Sequence, residues 1–264
     1  MTSSGPVDLA GARSEILGRI ADAAAHSGRQ PAAVEIVAVT KTVEASRIRA
    51  AAAAGFTRFA ENRVQERQAK AAELADLAAT PIGTAAADID VPVHDAAPSD
   101  SPPGVTWDLV GPLQSNKARR AIELFDVIES VDSLALAQRL DRIAAEVHPG
   151  SRLRVLLQVN VDDDPAKAGF DPAALERDLP AILDLQALRV DGLMTVGRLV
   201  DSAEAARPTF VALRSLSERL RAREPELGDA LSMGMTDDYP VAVEEGATIV
   251  RIGRAIFGDR PAAR

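Results

Sequence analysis

The segment EIVAVTKTVEASRIRAAAAAG, residues 35 to 55, carries an apolar run that ends on Lys41 and passes at once into a helical pattern. A lone lysine at such a junction is, as a rule, a solvated loop residue. The sharper reading is an amine held in a pocket, where it can capture a carbonyl. Two further segments bear on that choice. SMGM, residues 232 to 235, sets the hydroxyl of Ser232 beside Gly234, and RIGRAIFG, residues 251 to 258, runs from Arg251 through Gly253 into a short helical turn. Backbone N–H groups at a glycine-led helix start bind anions, and phosphate is their natural occupant. Gly253 taken alone reads as a tight turn. With an amine at the first strand, the set describes a pocket for a phosphorylated aldehyde.

These residues meet only if the fold gathers strand ends at one place. Short apolar runs occur at residues 36–41, 58–62, 106–111, 126–132, 154–161, 190–197, 230–235 and 248–253, with helix-like segments between them. Several are apolar almost throughout, as strands covered on both faces of a parallel sheet must be. The alternation predicts a (β/α)8 TIM barrel, one domain over residues 1–264, with an extra amphipathic helix at residues 10–26 in front. An open doubly wound sheet is the alternative, and no GxGxxG follows the first strand to support it.

In a barrel of this kind the loops after the strands build the active site. The expected strand ends bring Lys41, Glu61, Asn62, Gly111, Gln114, Ser115, Asn116, Asp132, Asn160, Thr195, Ser232, Gly234, Met235, Arg251 and Gly253 to one rim. The strand bodies read as aliphatic. A purely structural barrel can also cap its strands with polar residues. Residues 79–104, rich in Ala, Pro and Asp, have no period and read as a flexible surface insertion, and residues 1–9 as a flexible N-terminus.

Composition narrows the function classes. The chain has 264 residues, of which 47% are hydrophobic but only 3% aromatic, so aliphatic side chains must fill the core. A net charge of −9 argues against a nucleic-acid backbone as the main partner. The absence of cysteine excludes disulfides, thiolate nucleophiles and zinc–thiolate sites. The first residues lack the basic and apolar blocks of a secretory signal, and no apolar run is long enough to span a bilayer. A cytoplasmic protein away from membranes is expected. A metal-dependent hydrolase would have to rest on Asp162, Asp163, Asp164, Asp237 and Asp238, which fit turn and cap duty better. His26, His94 and His148 fall in helix ends or loops, so no metal site is expected.

The motifs VAVTKT, FAENRVQE, WDLVGPLQSNKAR, QVNVDDDPAKAGF, GLMTVG and LSMGMTDDYPVAVEEGATIVRIGRAIFG, taken in order, resemble the pyridoxal phosphate homeostasis proteins, single-domain relatives of the alanine racemase N-terminal barrel. The likeness covers residues 35 to 258, interrupted mainly at 79–104. It implies pyridoxal 5′-phosphate (PLP) as cofactor, held on Lys41 as a Schiff base. It further implies that Ser232 and the amides around Gly253 and Arg254 hold the phosphate, that Asn62 and Met194 line the pocket, and that Arg251 lies near the pyridine nitrogen. Two positions depart from the family pattern: Asp108 stands where His is usual, and Arg63 where Tyr is usual.

A strong carbanion catalyst keeps the pyridine nitrogen protonated through an acidic partner, and an arginine cannot play that part. Racemisation also needs an acid–base group on the face opposite the lysine. In two-domain alanine racemases that group is a tyrosine on a second domain, for which this chain leaves no room. Tyr239, its only tyrosine, is expected to begin a helix at the surface. The resemblance therefore implies a carrier that buffers PLP and passes it to apo-enzymes, not an enzyme, and a monomer once the second domain is lost. The alternative is an amino-acid racemase-like PLP enzyme. Lys117 and Lys167 are the other loop amines that could hold the aldehyde.

Overall fold

All eight apolar runs are β-strands in the computed structural model, which describes residues 8–77 and 104–258. They are β1 (Glu35–Val39), β2 (Arg58–Glu61), β3 (Thr106–Leu109), β4 (Val127–Val131), β5 (Leu153–Gln158), β6 (Leu188–Met194), β7 (Ala230–Met235) and β8 (Ile249–Ile252). Each pairs in parallel with its neighbour in sequence, and β8 returns to β1 through Val37 opposite Arg251. The result is a closed barrel, so no strand edge is left to pair with another chain.

Helices α1 (Leu9–His26), α2 (Ala45–Ala53), α3 (Val64–Lys70), α4 (Ala118–Leu124), α5 (Leu134–Val147), α6 (Pro172–Leu183), α7 (Arg207–Arg221), α8 (Tyr239–Glu244) and α9 (Arg254–Phe257) surround the strands. Local chemistry fixes several starts. Asp8 caps α1 by accepting from the Gly11 amide at 2.9 Å, and Asp171, followed by Pro172, caps α6 through the Ala174 amide at 2.9 Å. Such caps contribute about 1 kcal/mol each. The leading helix α1 packs against α8 and α9. Arg29, just beyond it, donates to the carbonyls of Val243 and Ala247 at 2.7 and 2.9 Å. Because Asp8 and Leu9 belong to this capped helix, ordered structure begins inside the expected flexible stretch 1–9, of which residues 1–7 lie outside the described residues. Residues 79–103 of the expected insertion also lie outside them; the amide of Val105 donates to Leu77 at 3.0 Å, so the chain leaves and rejoins the barrel at one point.

The main apolar core lies between strands and helices, while Val37, Ala60, Leu156, Met194 and Ile249 form a smaller cluster in the barrel interior. The expectation of aliphatic strand bodies needs correction. Arg58, Asp108, Glu129, Ser232 and Arg251 are buried within strands. They are tolerated because they pair with one another, since an unpaired buried charge is prohibitive. No helix among the described residues is long and apolar enough to cross a membrane.

Candidate cofactor site at the C-terminal mouth of the barrel

Lys41 is half-buried in the turn that follows β1. Its flanks are constrained on both sides. Before it, the Thr40 hydroxyl lies 2.7 Å from Glu61 Oε1 and 3.0 Å from the Ala60 carbonyl, and the Thr40 carbonyl accepts from Lys70 Nζ at 2.9 Å. After it, Thr42 holds φ at +64°, in the left-handed region that a threonine seldom adopts. A residue between two such fixed points has little backbone freedom, which is how a reactive side chain is kept in place.

Glu61 is fully buried beside this turn, and its Oε1 also accepts from Lys70 Nζ at 2.6 Å. Burial raises its pKa to about 7, with Lys70 opposing the rise. The carboxyl next to Lys41 therefore changes charge near neutrality.

Deeper in the barrel, Arg251 is buried and directional. Its Nη1 donates to Ser232 Oγ at 2.6 Å and its Nη2 to the Thr195 carbonyl at 2.7 Å. Ser232 Oγ donates in turn to Glu129 Oε2 at 2.6 Å. Burial lowers the Arg251 pKa, with Glu129 and Asp238 acting against that shift. Below, Arg58 donates to Asp108 Oδ2 through Nε at 2.8 Å and pairs with Glu35 and, at 3.7 Å, with Glu129. A ladder of alternating charges thus rises through the interior towards the mouth.

The sequence-predicted residues fall into place unevenly. Lys41, Asn62 and Gly253 stand at the mouth, half-buried. Met194 is fully buried in the inner apolar cluster, so it floors the pocket from within. Arg254 begins α9 and pairs with Asp237. Ser232, expected on the phosphate, has its hydroxyl committed to Glu129 and Arg251 within β7. Thr236, the first residue beyond β7 and half-buried, is the hydroxyl that stands at that strand's end. Lys117, which ends a 3-10 turn at Ser115–Lys117, and Lys167, in the loop after β5, are half-buried at the same rim.

Gly111 and Gly253 are glycines for different reasons. A Cβ on Gly111 would lie 2.2 Å from the Asn62 carbonyl, so close packing of the two loops demands glycine. Gly253 has φ −115°, open to any residue, and a Cβ there would meet the Val39 carbonyl at 3.4 Å, an ordinary contact. Neither turn geometry nor packing explains its missing side chain. Glycine here leaves the start of α9, whose first amides have no partner within the helix, without a side chain over it.

Tyr239 begins α8, as expected, but it is not at the surface. It is 1% exposed, with the Arg19 guanidinium of α1 over its ring at 5.1 Å. The side chain therefore faces the leading helix. Asp164 and Asp238 serve turns, accepting from the Ala166 and Met235 amides, whereas Asp162 ties the loop after β5 to the Arg198 amide and to the Thr209 hydroxyl of α7. Among the described residues no three acidic or histidine side chains group as metal ligands. His26 and His148 lie at the ends of α1 and α5, and His94 is outside the described residues.

The chain as a whole is similar to known proteins. The model of the alanine racemase N-terminal domain matches residues 15–261. A pyridoxal phosphate homeostasis protein of Pseudomonas aeruginosa is 40% identical over 248 residues, covering 93% of each chain. The chain belongs to the pyridoxal phosphate homeostasis protein family. A member from Escherichia coli K12 is 36% identical over 258 residues, covering 96% of this chain and 97% of its own. Among solved structures, PipY of Synechococcus elongatus, crystallised with PLP bound, is 42% identical with a TM-score of 0.73, covering 90% of this chain and all of its own.

The residues that sequence reasoning missed are Glu129, Arg58, Thr40 and Lys70; Glu61 was expected at the rim without its partners, and Asp108 was noted as a departure without a role. The signal was present as charged residues inside otherwise apolar runs, such as DVIESVD. Which of them point inward depends on strand register, which the closed barrel supplies.

Proposed function

We propose that this protein holds PLP on Lys41 as a Schiff base and serves to buffer the cofactor and deliver it to apo-enzymes, without dedicated catalysis. The observation that carries this reading is the placing of Lys41 after β1 beside Gly253, whose missing side chain nothing within the fold requires. PLP binding by the similar PipY supports it.

When bound, PLP supplies an aldehyde for reversible imine exchange and a ring able to withdraw electrons. The chain's own residues favour the first use over the second. Arg251 faces the interior as a hydrogen-bond donor, already oriented by Ser232 and the Thr195 carbonyl, and a guanidinium cannot accept a proton from the ring. The first amides of α9, with Thr236 at the end of β7, would hold the phosphate, while Ser232 acts through Arg251. Asn62 and Met194 would bound the ring. Tyr239, turned onto Arg19, does not supply an acid–base group at the mouth.

The unit is proposed to be a monomer, which sedimentation of the loaded protein tests. The functional reading is tested by mixing PLP-loaded protein with a PLP-dependent apo-enzyme and, separately, with L-alanine and other amino acids. Reactivation of the apo-enzyme without racemisation supports a carrier. Turnover above about 1 per second, within the ordinary enzyme range, would make it a racemase-like enzyme instead.

A further inference from the structure

Asp108 and Glu129 lie in the barrel interior, fully buried, on the adjacent strands β3 and β4, and meet around Arg58, whose Nη2 is 2.7 Å from Asp108 Oδ2 and 3.7 Å from Glu129 Oε1. Each has one carboxyl oxygen accounted for. Asp108 Oδ2 accepts from Arg58, and Glu129 Oε2 accepts from Ser232. The other two oxygens, Asp108 Oδ1 and Glu129 Oε1, are buried without a hydrogen-bond partner. Two orphaned carboxylate oxygens of like charge in contact would be strongly unfavourable.

We propose that Asp108 and Glu129 share one buried proton and that Glu129, acting through Ser232, is the positioning residue that holds Arg251 towards the bound cofactor. The hydrogen-bond polarity places the proton between the two carboxyls. A guanidinium only donates, so Arg251 Nη1 donates to Ser232 Oγ and the single Ser232 proton must go to Glu129 Oε2. Arg58 occupies Asp108 Oδ2 and Ser232 occupies Glu129 Oε2, so the shared proton lies between the remaining oxygens, Asp108 Oδ1 and Glu129 Oε1. That placement gives both orphaned atoms a partner. Burial raises the Asp108 pKa well above the usual carboxylate range, with Arg58 opposing and Glu129 reinforcing the rise, in keeping with this assignment. Asp108 departs from the histidine expected by resemblance, and here its role is to hold Glu129 in place through the shared proton.

The positioning half of this inference rests on the proposed binding of PLP; the shared proton does not. Infrared spectra of the cofactor-free protein at about pH 9, where Glu61 is ionised, should show a protonated-carboxyl component that is lost in Asp108→Asn and so appears in the difference between the two. A difference spectrum without that component overturns the shared proton. Glu129→Gln and Ser232→Ala, loaded with PLP, should still be labelled at Lys41 after borohydride, but bind PLP about tenfold more weakly and show a displaced Schiff-base absorption band and pH titration. A merely structural role would leave the spectrum unmoved. Native-like spectrum, titration and affinity in folded variants overturn the positioning role. If Glu129→Gln does not fold, Ser232→Ala, which cuts the link and leaves both carboxyls, decides. Failure of the native protein to label at Lys41 overturns the positioning role together with the proposed function, while the infrared result still judges the proton.

Discussion

Glu61→Gln isolates a carboxyl whose proton affinity the fold has changed, and its effect can be worked through. In the unfolded chain Glu61 titrates at 4.5, and in the fold burial lifts it to about 7. The folded state thus binds this proton more tightly than the unfolded state. The contribution is complete below about pH 4.5 and is lost as the pH rises through 7. At about 1.4 kcal/mol per pH unit of separation, the loss amounts to about 3 kcal/mol. The side chain is 0% exposed, so no discount for solvent screening is needed. Urea unfolding of the native protein and the glutamine variant, followed by circular dichroism from pH 4.5 to 8, measures the difference directly and cancels groups common to both. The native protein should lose about 3 kcal/mol relative to the variant across this range. A difference that stays flat, or that grows in favour of the native protein with pH, would show that the Lys70 ion pair outweighs burial. It would refute the picture of a carboxyl half-protonated beside Lys41 at neutrality.

Three further outcomes follow from the same structure. Gly111→Ala drives a Cβ into the Asn62 carbonyl and should cost about 2 kcal/mol or more in denaturant unfolding, with weaker PLP binding because Asn62 is displaced. Tyr239→Phe keeps the ring under Arg19 and removes a buried hydroxyl that makes no well-formed hydrogen bond and interacts with Arg19, so thermal stability should change by less than about 1 kcal/mol, and PLP affinity should not move. Leu157→Ala empties a fully buried core position of β5 and should cost about 2–5 kcal/mol in the same unfolding assay, while leaving the Lys41 label intact.

The barrel was legible because its signals are local and repeated. Apolar runs of strand length alternate with helical periods, and each strand end carries a polar residue or glycine that an ordinary helix or sheet face would not need. Lys41, Asn62 and Gly253 were visible for that reason. The interior was not, because periodicity reports how much of a strand is buried but not which neighbour a charge will meet. Arg58, Asp108 and Glu129 come from three different strands and make sense only once register sets them together. Ser232 illustrates the same limit: as sequence it is a hydroxyl near a strand end, and in the barrel it lies far enough inside to hold Arg251. Tyr239 was placed on the right helix but on the wrong side of it, since the leading helix α1 covers that face.

The central claim concerns one amine. The protein is loaded with PLP, reduced with borohydride, digested and read by mass spectrometry. The account predicts a single phosphopyridoxyl increment on the peptide that contains Lys41, absent from Lys41→Ala. A label on Lys117 or Lys167, or no label at all, would contradict it.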